Sequence, residues 1–144
     1  MTSSPIDFSD STGLYTLQLQ SKLESITTVE NFIDNLSEKY NLSEETYANV
    51  LTCLSEAVIN AIVHGNKQDD TKKVYINLEI VEHKRLIFTI ADEGSGFDYN
   101  NLPDPTSPEN LENYSGRGVF IIKKLADQCI FNTIGNELEL HFKI

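Results

Sequence analysis

The sequence predicts an α+β fold: a two-layer α/β sandwich with a mixed, mostly antiparallel sheet and helices on one face. Three observations carry this. Short stretches near the start, middle and end alternate apolar and polar residues, the period of half-buried strands. Two helical patterns follow one another directly between the first and second of these stretches. Strands and helices therefore do not alternate, and a doubly wound sheet is excluded. A length of 144 residues at 40% hydrophobic content suits one domain with a real core.

In order, residues 1–12 are polar and acidic and read as a mobile tail. They show neither a basic start nor an apolar signal segment, so export is not expected. Residues 13–144 form the single domain. Leu14 to Gln20 reads as a strand, with Leu17 and Leu19 on one side. Glu24 to Tyr40 is helical, since Ile26, Val29, Ile33 and Leu36 repeat at three- and four-residue steps. Asn41–Glu45 is a break with Ser43 as N-cap and Thr46 three residues on. A long helix runs from there to about His64 and stops at Gly65. Lys67–Lys73 is a polar loop. Val74, Ile76, Leu78 and Ile80 form one strand, and Leu86, Phe88 and Ile90 the next, joined as a hairpin through His83-Lys84-Arg85. Tyr99–Ser115 holds Pro103, Pro105 and Pro108 and no periodicity over 17 residues, which predicts a functional lid at 99–115. Gly116-Arg117-Gly118 opens a helix to about Asp127, with Val119, Ile122 and Leu125/Ala126 buried. Cys129–Thr133 and Glu137–Ile144 are strands joined by a Gly135-Asn136 turn.

A net charge of −11 argues against a broad nucleic-acid phosphate contact and against an anionic membrane surface. No apolar run approaches the length of a membrane helix. Cys53 and Cys129 are isolated and read as buried thiols in a reducing cytoplasm. His64, His83 and His141 lack metal-ligand spacing.

Three motifs carry chemistry. The first is Glu56–Asn66, E-A-V-I-N-A-I-V-H-G-N. At about 100° per residue Glu56, Asn60 and His64 share an arc of roughly 80°, opposite Tyr47, Leu51, Leu54, Val58 and Ile62. Alone, this stripe reads as a buried polar network or a solvated face. Alternatively it sets a carboxylate general base beside an amide able to ligate a hard cation. The second is Asp92-x-Gly94-x-Gly96 at a strand end. It is a turn, or it lets the backbone approach a flat ligand while a carboxylate accepts from an exocyclic amine. The third is Gly116-Arg117-Gly118, a hinge or an anion nest at a helix start, with Arg117 facing phosphate or solvent. There is no G-x-x-x-x-G-K-[ST] and no G-x-G-x-x-G, so neither a P-loop nor a dinucleotide fingerprint exists.

Their fixed order resembles the nucleotide-binding (Bergerat) fold shared by DNA gyrase, the ninety-kilodalton heat-shock chaperone, sensor histidine kinases and MutL proteins. Within that group the chain most resembles the bacterial anti-sigma-factor serine/threonine kinases. The carrying stretches are S-E-A-V-I-N-A-I-V-H-G-N (55–66), A-D-E-G-S-G-F-D (91–98), L-P-D-P-T-S-P-E-N-L (102–111) and S-G-R-G-V-F-I-I (115–122). The resemblance implies ATP and Mg²⁺ as cofactors, Glu56 as general base and Asn60 as metal ligand. It implies Asp92 at the adenine amine, with Gly94 and Gly96 shaping the base pocket. Gly116, Arg117 and Gly118 belong at the phosphates, and His64 and Asn66 among the nucleotide-site residues. It further implies a cytoplasmic homodimer that phosphorylates a small antagonist protein in a partner-switching system and also sequesters a sigma factor, with no nucleic-acid or membrane partner. The alternative is a catalytically weak ATP-binding switch module. Two departures stand out: Phe120 replaces a third glycine frequent in the superfamily's phosphate loop, and Gly135-Asn136 stands where Gly-Thr is frequent.

Overall fold

The computed structural model describes residues 13–95, 114–132, 134 and 136–144. The tail at 1–12, Gly96, Gly135 and the lid up to residue 113 lie outside them. Five strands form one sheet in the order β1-β2-β3-β5-β4: β1 is Leu14–Gln20, β2 Lys73–Val81, β3 Arg85–Ala91, β4 Gln128–Phe131 and β5 Glu137–Lys143. All four pairings are antiparallel. The connection from β3 to β4 would bring two parallel strands together. Instead β5 inserts between them and runs antiparallel to both.

The helices are α1 (Ile26–Tyr40), α2 (Glu44–Asn60) and α3 (Tyr114–Leu125), with a short 3₁₀ turn at Leu23–Ser25 ahead of α1. Strand alternation sends Leu17, Ile76, Phe88 and Leu140 into one core with Ile33, Leu54, Val58 and Ile122 of the helices. At the centre, Phe88 of β3 meets Phe142 of β5 edge-to-face, centroids 6.0 Å apart. Ser43 caps α2 as expected, its Oγ accepting from the Thr46 N–H at 3.1 Å. In α2, Val50, Cys53 and Ala57 are buried with Leu54 and Val58, whereas Tyr47 and Leu51 sit at the core margin. Tyr47 instead donates a hydrogen bond to Asp34 of α1.

Three local expectations change. The β2–β3 turn centres on Glu82 and His83, both at positive φ, with the Lys84 N–H donating to the Val81 carbonyl, while Arg85 already belongs to β3. The helix α3 starts at Tyr114, so Tyr114 and Ser115 leave the expected lid and both glycines lie inside helix. Finally, α2 continues through a wide π-turn, Ala61–Gly65. The whole stretch, Glu44–Gly65, is 22 residues and holds an 18-residue window of mean hydropathy 1.3, long and apolar enough by length and composition to span a membrane. That overturns the expectation that no apolar run approaches this length. The physical reason is its central position: Val50, Leu54, Val58 and Ile62 are all 0% exposed, covered by the rest of the core.

Candidate nucleotide site

Helix α2 supplies one wall. Glu56 and Asn60 are both half-buried and one helical turn apart, so they share a face. Among the described residues, no side-chain hydrogen bond joins either to another group. Their neighbour is α3. A Cβ at Gly118 would lie 2.9 Å from Glu56 Oε2 and 3.1 Å from Asn60 Nδ2. The glycine is therefore a matter of space: any larger residue there would press on the two polar side chains. Gly116 precedes it in the first turn of α3, and Arg117, between the two glycines, is half-buried.

The π-turn re-aims the residues at the end of this wall. The Asn66 N–H donates to Ala61 O at 2.7 Å, five residues back, and the Gln68 N–H to Ile62 O at 2.7 Å. Each residue then advances by roughly 80° instead of 100°. His64 is exposed. The structure joins His64 to neither cluster. Asn66 turns inward and is 1% exposed.

The end of β3 supplies the second wall. Asp92 Oδ1 accepts from the Gly94 N–H at 2.7 Å. A Cβ on Gly65 would overlap the Asp92 carboxylate, and one on Gly94 would overlap the Gly65 carbonyl. The carboxylate is thus wedged against bare backbone. Burial pushes the Asp92 carboxyl above its ordinary value, opposed by the Gly94 N–H and by the charge of Lys72. Gly65, read from the sequence only as a helix stop, proves to be a packing partner of Asp92. Asn136, read as a turn residue and as a departure, reaches the same loop: its carbonyl accepts from the Asp92 N–H at 3.0 Å and its Nδ2 donates to Gly94 O at 3.3 Å. The spacing of Gly65 before a distant Asp-x-Gly was the only available signal for the first, and no local signal existed for the second.

The other cysteine and histidine positions are accounted for by packing. Cys53 is buried, which pushes its thiol up to about 12. Burial also raises Cys129. His83 stacks near Tyr40 at 5.5 Å, and His141 sits between Glu139 at 2.9 Å and Arg85 at 3.3 Å.

An antiparallel sheet under helices, with a polar helix wall facing an Asp-Gly strand end, defines an ATP-binding class. The chain belongs to the histidine kinase-like ATPase family, whose model matches residues 19–142. Within it, the chain belongs with the anti-sigma-factor serine kinases, so ATP is its nucleotide and phosphoryl transfer the chemistry of its class. The anti-sigma F factor of Bacillus subtilis (strain 168) is 38% identical over 104 residues, 69% of this chain and 66% of that protein. That of Bacillus velezensis is 36% identical over 110 residues, 74% and 70% of the two chains. The serine-protein kinase RsbW of Listeria monocytogenes is 27% identical over 118 residues, 78% and 74%. The crystal structure of the RsbU and RsbW domains of Rv1364c from Mycobacterium tuberculosis superposes with a TM-score of 0.63 at 12% identity, over 90% of this chain. This chain spans 31% of that longer protein, and the likeness bears on the fold.

Proposed function

We propose that the protein is a cytoplasmic, ATP-dependent protein serine/threonine kinase that phosphorylates a hydroxyl of a small antagonist protein in a partner-switching circuit. It also holds a sigma factor, and it works as a homodimer. The observation that carries the kinase reading is the pairing of two different walls. Among the described residues Glu56 and Asn60 stand unpartnered beside Gly118, whereas Asp92 is wedged between Gly65 and Gly94. From Glu56 to Gly65 the helix rises by about 13 Å, a span on the scale of an extended nucleoside triphosphate.

In this reading Asp92 accepts from the adenine amine, and Gly94 and Gly96 leave room for the ring. Gly116 and Gly118 lie along the phosphates, with Arg117 beside them. The amide oxygen of Asn60 fits a hard cation that keeps waters and takes its remaining ligands from phosphate. When bound, Mg²⁺ neutralises charge on the phosphates. Glu56 takes the proton of the acceptor hydroxyl as its oxygen attacks the γ-phosphorus; the bond to the β-bridging oxygen breaks and ADP leaves. Backbone N–H groups of α3 favour the charge on the transferring group. His64 is exposed and is assigned only to the rim.

The test is incubation with γ-labelled ATP, Mg²⁺ and candidate antagonist proteins. Label should reach an antagonist serine or threonine with the wild-type chain and not with Glu56→Gln. ATP binding without label transfer to any antagonist would leave a nucleotide-dependent switch in place of a kinase.

A further inference from the structure

The tripeptide Asp92-Glu93-Gly94 is strapped from two sides by carboxamides. On one side stands Asn66, 1% exposed at the end of the π-turn. Its Oδ1 accepts from the Glu93 N–H at 2.8 Å. Its Nδ2 donates to Ser21 Oγ and to the Lys73 carbonyl, each at 2.9 Å. Ser21 in turn donates to the Lys72 carbonyl at 2.6 Å. The two N–H groups and the oxygen of this amide are all engaged by protein. On the other side stands Asn136, whose carbonyl and Nδ2 hold Asp92 and Gly94. Its own Oδ1 is fixed by Asn132 Nδ2 at 2.7 Å.

We propose that Asn66 is a positioning residue for base recognition that never touches the nucleotide and acts through Asp92, with Asn136 as the opposing strap. The inference rests on Asp92 being the base-recognising carboxylate. It gives Asn66 a role different from the ligand contact that the resemblance implies. The physical argument is one of tolerance. The Asp92 carboxylate is wedged where even a methyl group on Gly65 or Gly94 would collide. The 92–93 peptide bond therefore sets its direction, and the N–H of that peptide is the one Asn66 holds. Deleting the amide leaves the Glu93 N–H, the Lys73 carbonyl and Ser21 to find new partners in a buried space. Rotation of the 92–93 peptide is the cheapest relief, and it turns the carboxylate away from the base.

The test is a cycle of Asn66→Ala and Asp92→Asn in the full chain, read by ATP·Mg²⁺ calorimetry and by amide hydrogen exchange of the free protein. Asn66→Ala should weaken ATP about tenfold in the wild-type background and less than about twofold when Asp92 is already Asn. Exchange at Glu93 and Gly94 should quicken at least about tenfold, with the amides of Phe88 and Leu140 unchanged. Asn66→Asp, which keeps the acceptor for Glu93, should recover part of the affinity. Ser21→Ala, a milder cut, should move both readouts in the same direction by less. Equal ATP losses in both backgrounds, or exchange that quickens equally in the core strands, would overturn the proposal. If Asp92→Asn alone leaves ATP affinity unchanged, the base-site assignment fails, and the exchange pattern alone then decides whether Asn66 is a local clamp.

Discussion

The two ends of the site differ in how much protein holds them. At the Asp92 end four polar groups of the strand terminus are held by protein: Gly94 on the carboxylate Oδ1, Asn66 on the Glu93 N–H, Asn136 on the Asp92 N–H and on Gly94 O. At the Glu56 end the carboxylate and the Asn60 amide stand with no side-chain hydrogen bond among the described residues, and a glycine is close by. Recognition of a base needs a rigid donor–acceptor pattern before the ligand arrives. Phosphoryl transfer needs groups free to meet a metal, a moving phosphate and a hydroxyl brought by another protein. The contrast separates binding from chemistry, and substitutions can separate them too.

The largest effect should come from the open end. Glu56→Gln should lower phosphoryl transfer by about 10²–10⁴-fold and leave ATP affinity within about twofold, read by single-turnover label transfer and calorimetry. Equal losses in both would mean the two ends are not functionally separate. At the tied end, Gly65→Ala should cost about 1–3 kcal/mol through overlap with the Asp92 carboxylate. It should appear as weaker ATP binding together with a lower Tm.

Asp92→Asn removes a charge-assisted hydrogen bond of about 1.5–3 kcal/mol, so ATP affinity should fall roughly 10–100-fold. Its effect on stability should have the opposite sign. Burial raises the Asp92 carboxyl in the folded chain, so ionising it costs stability. That cost is absent below the ordinary carboxylate range, grows as pH rises through the window up to the raised value, and is complete above it. The Asn variant should therefore melt slightly higher than wild type at neutral pH, with the gain vanishing in acid. A lower Tm at neutral pH would show that the Gly94 bond outweighs the desolvation.

Gly118→Ala has a smaller expected effect. Helix propensity favours alanine by up to about 1 kcal/mol. The new Cβ must push aside the flexible ends of Glu56 and Asn60. The expected outcome is unchanged or higher stability with transfer reduced roughly tenfold. The smallest expected signal is chemical. Burial holds the Cys53 thiol at about 12 and raises Cys129, so neither should react with a thiol reagent at neutral pH until the chain unfolds.

Much of this architecture is legible without coordinates because strand alternation and capping are local. The Leu14–Gln20 and hairpin strands come from period two, and Ser43 from its position before an apolar helix. The site was legible in part for the same reason, since Glu56 and Asn60 lie four residues apart on one helix. What the wheel misses is the π-turn. A wheel at constant pitch assumes bonds four residues back, and the Asn66 bond to Ala61 goes five. The wider turn carries Asn66 into the interior, while His64 stays exposed. The partners of Asn66 lie at Ser21, Lys73 and Glu93, which no spacing rule connects. Asn136 reaches Gly94 from 42 residues away for the same reason.

The sheet order also has a consequence for how the chain assembles. In sequence β5 is the last of the strands, yet it sits between β3 and β4 and supplies Leu140 and Phe142 to the core. Until Glu137–Lys143 has left the ribosome, β3 has an open edge and β4 has no neighbour among the described strands. The register Phe88↔Leu140 closes a loop of more than fifty residues, which makes this step slow relative to helix formation. The Asp92 backbone N–H gains its Asn136 partner only after that closure. Nucleotide recognition is therefore completed only once β5 is in place, and a nascent chain lacking β5 should be a poor binder of ATP.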